Sequence, residues 1–579
     1  MNKIRVRFAP SPTGALHIGG VRTALYNYLL AKKLNGDFIL RIEDTDQTRY
    51  VPGAEDYIKA SLEWLGLLPD EGPGYGGTDG PYRQSERKAI YQQYAQQLID
   101  TGRAYYAFDT EAELDTARSA NPSFKYDASI RLEMRNTLSL SKAESDQFIS
   151  SGQRAVIRLK VEPGREVRFE DRIRGAVSFQ TDELDDKVLL KADGMPTYHL
   201  ANIIDDHLMK ITHVIRGEEW LSSTAHHVLL YEAFDWADTM PEFAHLPLIL
   251  KPAPASFLTP QNLDDFSRRF TEEFFKKYSD FKLKPAEEVR QYIRGILVDK
   301  DNLSARVKVK DKDSEDKVLI KAFLHGLLFG KLSKRDGDRL GFPVFPLSWE
   351  DEKPENSFIG FREFGFLPAA TINFLALVGW NPGSEQEIFS LTELCELFDL
   401  DKVGKSGARF DFPKARWFNQ QYMIHASAEM LAPFVRPIIT AKGHEAADGF
   451  LHAFIDLMKE RTVVLSDFWD NGAYFFEDPT EYDQKNVSKR WQADRNAAFV
   501  RLSAQLEALA DFSAEGIKGT VEAFMEKEAL KFGDVLPLLR IAIAGTMQGP
   551  AIFDVMALIG KEATGRRLKK AITTFDTFI

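Results

Sequence analysis

A single cysteine, Cys395, stands among 579 residues. It excludes an intramolecular disulfide and cannot by itself furnish a thiolate zinc site, so a reducing, cytoplasmic compartment is the expectation. An excess of positive charge is lacking as well. Lys and Arg number 74 against 86 Asp and Glu, a net charge of −12, which excludes a sequence-blind nucleic-acid coat protein built on a broad positive field. Long apolar runs are missing too. Met1–Arg7 holds no stretch of signal-peptide length, and the uncharged stretch Phe366–Ser384 is interrupted by Pro, Asn and Gly, so neither a membrane span nor a secretion signal is expected. What is present, 44% hydrophobic and 12% aromatic residues, excludes a disordered or collagenous chain. The length suggests about four domains.

The chain opens with alternating apolar residues in Ile4-Arg5-Val6-Arg7-Phe8, a short strand, and stops at the turn-forming Pro10-Ser11-Pro12-Thr13-Gly14. After Ala15-Leu16-His17-Ile18-Gly19-Gly20, the residues Val21, Ala24, Leu25, Tyr28 and Ala31 recur at helical spacing through Leu34, and Asp37–Glu43 reads as a second strand. Strand, glycine-containing turn, helix, strand is the order of a parallel α/β nucleotide-binding unit. From Thr101 to Asp193 polar helical segments alternate with β-rich runs such as Ala155–Val161, which reads as an inserted domain. Residues 253–330 depart again, with 15 Lys/Arg and 13 Asp/Glu. Within them Phe266, Phe270, Phe274 and Tyr278 share one helix face; packing on the protein's own core is the expectation, and an RNA-stacking or partner surface is the alternative. Beyond Trp380-Asn381-Pro382-Gly383 the pattern is helical to Ile579.

Two motifs carry chemistry. A helix N-terminus leaves backbone N–H groups unpaired at a partial positive charge, so a glycine-lined turn entering a helix suits a triphosphate. Here that turn also holds His17. Alone, His17-Ile18-Gly19-Gly20 reads as readily as a cap or a packed ring. The second motif, Gly330-Lys331-Leu332-Ser333-Lys334-Arg335-Asp336-Gly337, is a compact basic loop that alone reads as a solvated turn. The neighbours His226 and His227 do not make a metal site, because adjacent side chains on a helix point in different directions.

Together the two motifs resemble the paired signatures of class I aminoacyl-tRNA synthetases, usually written HIGH and KMSKS. Phe8–Gly14, Arg41–Asp46, Gly80–Ser85, Pro196–Asn202, Val214–Trp220 and Arg409–Asn419 are similar to the bacterial-type glutamyl-tRNA synthetase family. The resemblance implies a Rossmann-like parallel-sheet α/β catalytic domain with an inserted acceptor-binding domain, followed by all-α anticodon-binding domains. The expected boundaries are 1–100 and 195–252 for the two catalytic halves, 101–194 for the acceptor domain and 253–330 for an extra, mostly helical insertion. Residues 331–385 would form the lysine loop and stem-contact region, and 386–579 the anticodon region.

The activity so implied is ligation of L-glutamate to tRNA(Glu) through an adenylate, with ATP as substrate and Mg2+ as companion ion. His17 and Gly19 would hold the phosphates, Lys331 and Lys334 would neutralise the departing diphosphate, and Trp220 and Leu332 would lie beside adenosine. Arg216, helped by Arg7, would take the side-chain carboxylate, since a guanidinium offers a matching fork of donors. Glu43, with Ser11 and Ala9, would take the ammonium, and Tyr198 and Asn202 would complete the pocket. Basic and aromatic residues in Arg409–Trp417 are candidates for reading single-stranded bases. Two departures stand out. Tyr105-Tyr106 is followed by Ala107-Phe108-Asp109 where many relatives carry zinc-binding cysteines, so no zinc is expected; and 253–330 interrupts a segment that in the family runs almost directly into the lysine loop. A monomer is expected, as nothing demands a dimer. Glutaminyl-tRNA synthetase and a catalytically silent tRNA-binding descendant are the competing readings.

Overall fold

The computed structural model describes residues 3–121, 123–279 and 285–578. They divide into two compact units, residues 1–361 with 371–412, and residues 362–370 with 413–579. In the first unit, strands β1 (Arg5–Phe8), β2 (Asp37–Leu40), β3 (Ala104–Ala107), β4 (Val156–Leu159), β5 (Glu166–Asp171), β6 (Gly175–Gln180), β7 (Val188–Leu190), β8 (His213–Gly217) and β9 (Glu242–Leu246) form two sheets. The larger has the order β2-β1-β8-β9-β5-β6. Its first five strands run parallel and β6 is antiparallel to β5. Every residue of β1 and β2 is buried, as befits parallel strands covered on both faces.

The expected insertion at 101–194 behaves in two ways. β3, β4 and β7 form a separate antiparallel sheet, whereas β5 and β6 extend the parallel sheet instead of standing apart from it. No sequence periodicity distinguishes the two cases, because pairing partners are chosen by contacts across the fold. Without cysteines, this region is held by a small apolar cluster of Tyr105, Ala107 and Tyr126 and by the buried Asp186, which accepts from Tyr105 Oη at 2.6 Å and Arg131 Nη2 at 3.0 Å.

Helix α1 (Ile18–Lys33) begins three residues earlier than its apolar spacing predicts. His17 supplies the reason: its Nδ1 accepts from the Gly19 N–H at 3.1 Å and caps the helix. Helices α2 (Tyr198–Leu208) and α3 (Thr224–Ala233) add Leu200, Ile203, Ile204, Val228 and Leu230 to one core with Leu189, Val214 and Phe243.

Residues 253–330 fold mainly into α4 (Leu263–Lys277), α5 (Ala286–Leu297) and α6 (Glu315–Leu328); within them, 280–284 lie outside the described residues. Phe266, Phe270 and Phe274 of α4 are buried, and Phe274 meets Phe323 of α6 edge-on with ring centroids 5.4 Å apart. The aromatic face is spent on the segment's own core. Short strands β10 (Ile249–Leu250) and β11 (Ala408–Arg409) pair in parallel, which keeps 386–412 with the first unit, whereas the sequence places the start of the anticodon region at 386. Arg409 donates to the Lys251 carbonyl at 3.2 Å.

The second unit is built of helices around a core that includes Phe454, Phe468, Trp491, Phe499, Leu538 and Phe575. The Trp491 indole donates to Asp576 at 2.8 Å. Among the described residues no helix is long and apolar enough to cross a membrane.

Phe270 is fully buried, so Phe270→Ala should cost about 3–5 kcal/mol of stability in the 253–330 segment. Denaturant unfolding followed by hydrogen exchange of α4–α6 measures it; a loss below about 1 kcal/mol would contradict the packing.

Candidate active site

A cavity of about 1380 Å3 opens at the C-terminal ends of the parallel strands, where open α/β sheets bind ligands. Arg7, Ala9, Ser11, His17, Gly19, Glu43, Tyr198, Asn202, Arg216, Trp220, Lys331, Leu332 and Lys334 all line it. The residues that the sequence offers for the phosphates, adenosine and the amino acid are therefore brought to one place, whereas the Arg409–Trp417 stretch does not line it.

At one end lies a buried network of charge. Arg7 donates from Nε and Nη2 to the two oxygens of Asp206 at 3.0 and 3.4 Å. Arg41 reaches Asp206 at 2.7 Å and Glu43 Oε1 at 3.1 Å, and Arg87 reaches Asp205 at 2.7 Å. Asn202 also donates to Glu43 Oε1, at 3.3 Å. Three guanidinium groups thus face three carboxylates and the network is internally neutral. Burial raises the Glu43 carboxyl above its usual range against the pull of Arg41 and Arg7. Burial would also raise Asp206, but Arg7 and Arg41 outweigh it and hold that carboxylate low.

Arg216 is different. It is 5% exposed, and each bond it makes is to a neutral group. Nε donates to His245 Nε2 at 3.0 Å, Nη1 to the Tyr198 hydroxyl at 2.8 Å, and Nη2 to Thr224 Oγ1 at 2.9 Å; His227 Nδ1 lies 3.3 Å from Nη1. Among the described residues, no ion pair with Asp or Glu reaches Arg216. The parallel pairing of β8 with β9 sets Arg216 opposite His245. Beyond it, His245 Nδ1 contacts the buried Asp171 carboxylate at 2.6 Å. An N–H on Nδ1 toward Asp171 leaves Nε2 as the acceptor Arg216 needs. Burial lowers the His245 imidazole despite Asp171, in keeping with the neutral form. His226, by contrast, turns to the Asp185 carbonyl at 2.9 Å, so the adjacent histidines do diverge.

The other end gathers donors. His17 uses Nδ1 as a helix cap, so its proton sits on Nε2, a buried atom with no hydrogen-bond partner. Burial, reinforced by Lys334 and Lys331, lowers His17 to about 3 against a weaker opposing pull from the Ser333 backbone. The ring is a neutral donor. The lysine loop is anchored on β10, where Leu332 N–H donates to the Ile249 carbonyl at 2.8 Å. Leu332 is buried, whereas Lys331 and Lys334 are exposed, and Lys331 sits 3.6 Å from Glu219. Partial loss of hydration lowers Lys334. Trp220 is 40% exposed, with its ring 4.4 Å from that of Tyr198.

Comparison with known proteins fits this geometry. Residues 3–255 match the family model described as tRNA synthetases class I (E and Q), catalytic domain, and 426–572 match an anticodon binding domain. The glutamate–tRNA ligase of Phocaeicola vulgatus is 48% identical over 571 residues, 98% of each chain, and that of Porphyromonas gingivalis is 46% identical over the same share. The chain belongs to the glutamate–tRNA ligases. A crystal structure of such a ligase from Elizabethkingia meningosepticum, in complex with its amino acid, matches 99% of this chain and 100% of its own at 44% identity, TM-score 0.82. That from Elizabethkingia anophelis matches with TM-score 0.79. The catalytic model stops at 255, yet the two bacterial ligases align across 98% of both chains, which leaves no room for a gap the size of 253–330. The anticodon match begins at 426, beyond the Arg409–Trp417 stretch.

Residues that sequence reading did not single out are Asp171, Asp205, Asp206 and His245. Asp205, Asp206 and His245 bond to cavity residues from behind, and Asp171 acts one step further back, through His245. Apolar periodicity and spacing do not reveal such pairs, but polar residues in otherwise apolar elements, Asp205-Asp206 inside α2 and His245 inside β9, are a signal that they are paired.

Because His17 is neutral in the fold down to about 3, while an unfolded histidine protonates near 6.5, its stability contribution is intact above pH 6.5 and falls as the pH drops below it. Wild type should therefore lose about 1.4 kcal/mol per pH unit relative to His17→Asn between pH 6 and 4. Parallel urea titrations of both proteins check this, and equal slopes would refute a buried neutral ring.

Proposed function

We propose that the cavity activates L-glutamate with ATP and transfers the glutamyl group to the terminal ribose of tRNA(Glu). The observation that carries this reading is Arg216, a buried guanidinium facing the cavity with only neutral partners. An unpaired buried charge is costly, so the site is completed by an anion. A side-chain carboxylate meets that need; a glutamine amide leaves the charge uncompensated.

In the first step, the substrate's α-carboxylate oxygen attacks the α-phosphorus of ATP. The bond to the bridging oxygen breaks, diphosphate leaves, and a glutamyl adenylate forms. In the second, a ribose hydroxyl of tRNA attacks the glutamyl carbonyl carbon and AMP departs. Arg216 holds the γ-carboxylate. Arg7 lies close but has its charge already matched by Asp206, so its part is secondary. Glu43, with Ser11 and Ala9 nearby, receives the ammonium, while Asn202 and Tyr198 flank it. His17 Nε2–H and the N–H groups around Gly19 meet the phosphates. Lys331 and Lys334 offset the negative charge that gathers on the departing diphosphate, and Trp220 and Leu332 border adenosine. Among the described residues there is no group of three or more His, Cys, Asp or Glu that could hold a metal ion. Mg2+ is, in this reading, the companion ion of the ATP phosphates.

Arg216→Ala should cost roughly 3–5 kcal/mol in transition-state stabilisation and nearly abolish glutamate-dependent ATP–diphosphate exchange. Exchange within about tenfold of wild type, roughly 1.4 kcal/mol, would show the assignment to be wrong. His245→Phe, which removes the acceptor for Arg216 Nε, should raise the glutamate KM at least tenfold while moving the ATP KM less than threefold. Steady-state exchange kinetics with each substrate varied separates these outcomes.

A further inference from the structure

The segment 253–330 leaves and rejoins the fold at one point. Lys251 N–H donates to the Gly330 carbonyl at 2.9 Å, and Leu250 is bridged to Lys331. The chain could pass from one to the other without the helices between, so the segment is not a connector.

Its helices instead grip the residues that succeed the loop lysines. Ser333 donates from its backbone N–H and from Oγ to Asp336 Oδ2 at 2.6 and 2.8 Å, which fixes the turn carrying Lys331 and Lys334. Asp336 is fully buried, and its other oxygen lies 3.2 Å from Lys251 Nζ. That ammonium, itself buried, also donates to the carbonyls of Gly326 and Leu327 near the end of α6, at 2.9 and 3.0 Å. Two of its protons are thereby directed at acceptors of the inserted segment, and its contact with Asp336 is an ion pair. A second grip runs through the helix α7 (Asp336–Leu340). Arg339 is paired with Glu273 of α4 at 2.9 Å, and Arg269 of α4 donates to the Asp338 carbonyl at 3.1 Å.

We infer that residues 253–330 form a positioning module for the lysine loop: α4 and α6, through Glu273, Arg269 and Lys251, set where Lys331 and Lys334 stand. The module acts on the phosphate end of the site and leaves the glutamate end alone, since Arg216, His245 and Glu43 share none of these bonds. This inference rests on the assignment of the loop to the diphosphate.

The test is a charge exchange across α4 and α7 in the full-length enzyme. Glu273→Arg and Arg339→Glu should each lower kcat or raise the ATP KM of ATP–diphosphate exchange at least fivefold, with the glutamate KM within twofold and the thermal midpoint within about 2 °C. Combining both should recover activity to within threefold of wild type. ATP-side parameters that stay within twofold in the single variants, losses shared equally by the glutamate KM, or a double variant that does not recover would each overturn the inference. Should a single variant fold poorly, Arg269→Ala is the second arm. Amide hydrogen exchange in Lys331–Arg335 should accelerate at least threefold, and unchanged exchange would overturn the inference as well. Lys334→Ala, assayed alongside, separates the two readings. If it leaves exchange activity intact, the diphosphate role fails, whereas the hydrogen-exchange arm still reports on the module.

Discussion

One buried, unmatched charge organises the site. A guanidinium taken out of water needs hydrogen-bond acceptors, and Arg216 finds three among neighbouring side chains, none of which carries a charge. A carboxylate in place of any of them would cancel the charge and leave nothing for a substrate to complete. The neutrality of those acceptors is itself maintained. His245 can accept only because Asp171 fixes its tautomer, and Asp171 stays ionised because, against burial, it is bound to His245 and to the backbone N–H groups of Arg174 and Ile173. The chain from β5 through β9 to β8 is thus one electrostatic device. It explains why two strands from the expected insertion belong to the main sheet: Asp171 has to stand at the end of β5, beside β9.

The network around Arg7 and Arg41 solves the opposite problem. Its charges are balanced by Asp205, Asp206 and Glu43, so it contributes shape and rigidity with no net field. Glu43 keeps one oxygen free of the bonds to Arg41 and Asn202, which both go to Oε1. That end of the cavity therefore offers a free oxygen of a matched carboxylate together with one unmatched cation, Arg216. A zwitterion with an additional carboxylate fits that pattern better than a neutral side chain does. At the other end the cations Lys331 and Lys334 are exposed and on a loop, where water screens them until a ligand excludes it.

Motifs that act locally were legible in the sequence. The capped turn at His17, the alternation in β1 and the loop at Lys331–Lys334 each declare themselves within ten residues, and all line the same cavity. The shared face of Phe266, Phe270 and Phe274 in α4 was legible from spacing, while its use as core rather than as a stacking surface is settled by their burial. Pairing across the chain could not be read. Arg41 and Asp206 are 165 positions apart, and Lys251 meets Asp336 only because the chain between them returns to its starting point. The limits of the compact units depend on such pairing as well. Residues 386–412 look as helical as residues 413–579, yet two residues at Ala408–Arg409 pair with β10 and hold them to the catalytic unit.

The net charge of −12 poses a problem for a protein whose family acts on tRNA, and the structure shows where it eases. At physiological ionic strength, charges separated by more than about 8 Å are largely screened, so the total matters less than what lies at the cavity mouth. Burial does not reduce the acidic excess, because the buried acids are offset by buried Arg and Lys. Asp171, Asp186, Asp205, Asp206 and Asp336 are buried, each against a cationic or hydrogen-bonding partner. At the cavity, by contrast, Arg154, Lys191, Lys331 and Lys334 are among the lining residues, and Lys334 has no acidic partner among the described residues. A phosphate-bearing partner entering the cavity would meet local positive charge on a protein that is acidic overall. Attraction of this kind is short in range, which favours a partner already held by shape and base contacts elsewhere over one drawn in by a long-range field.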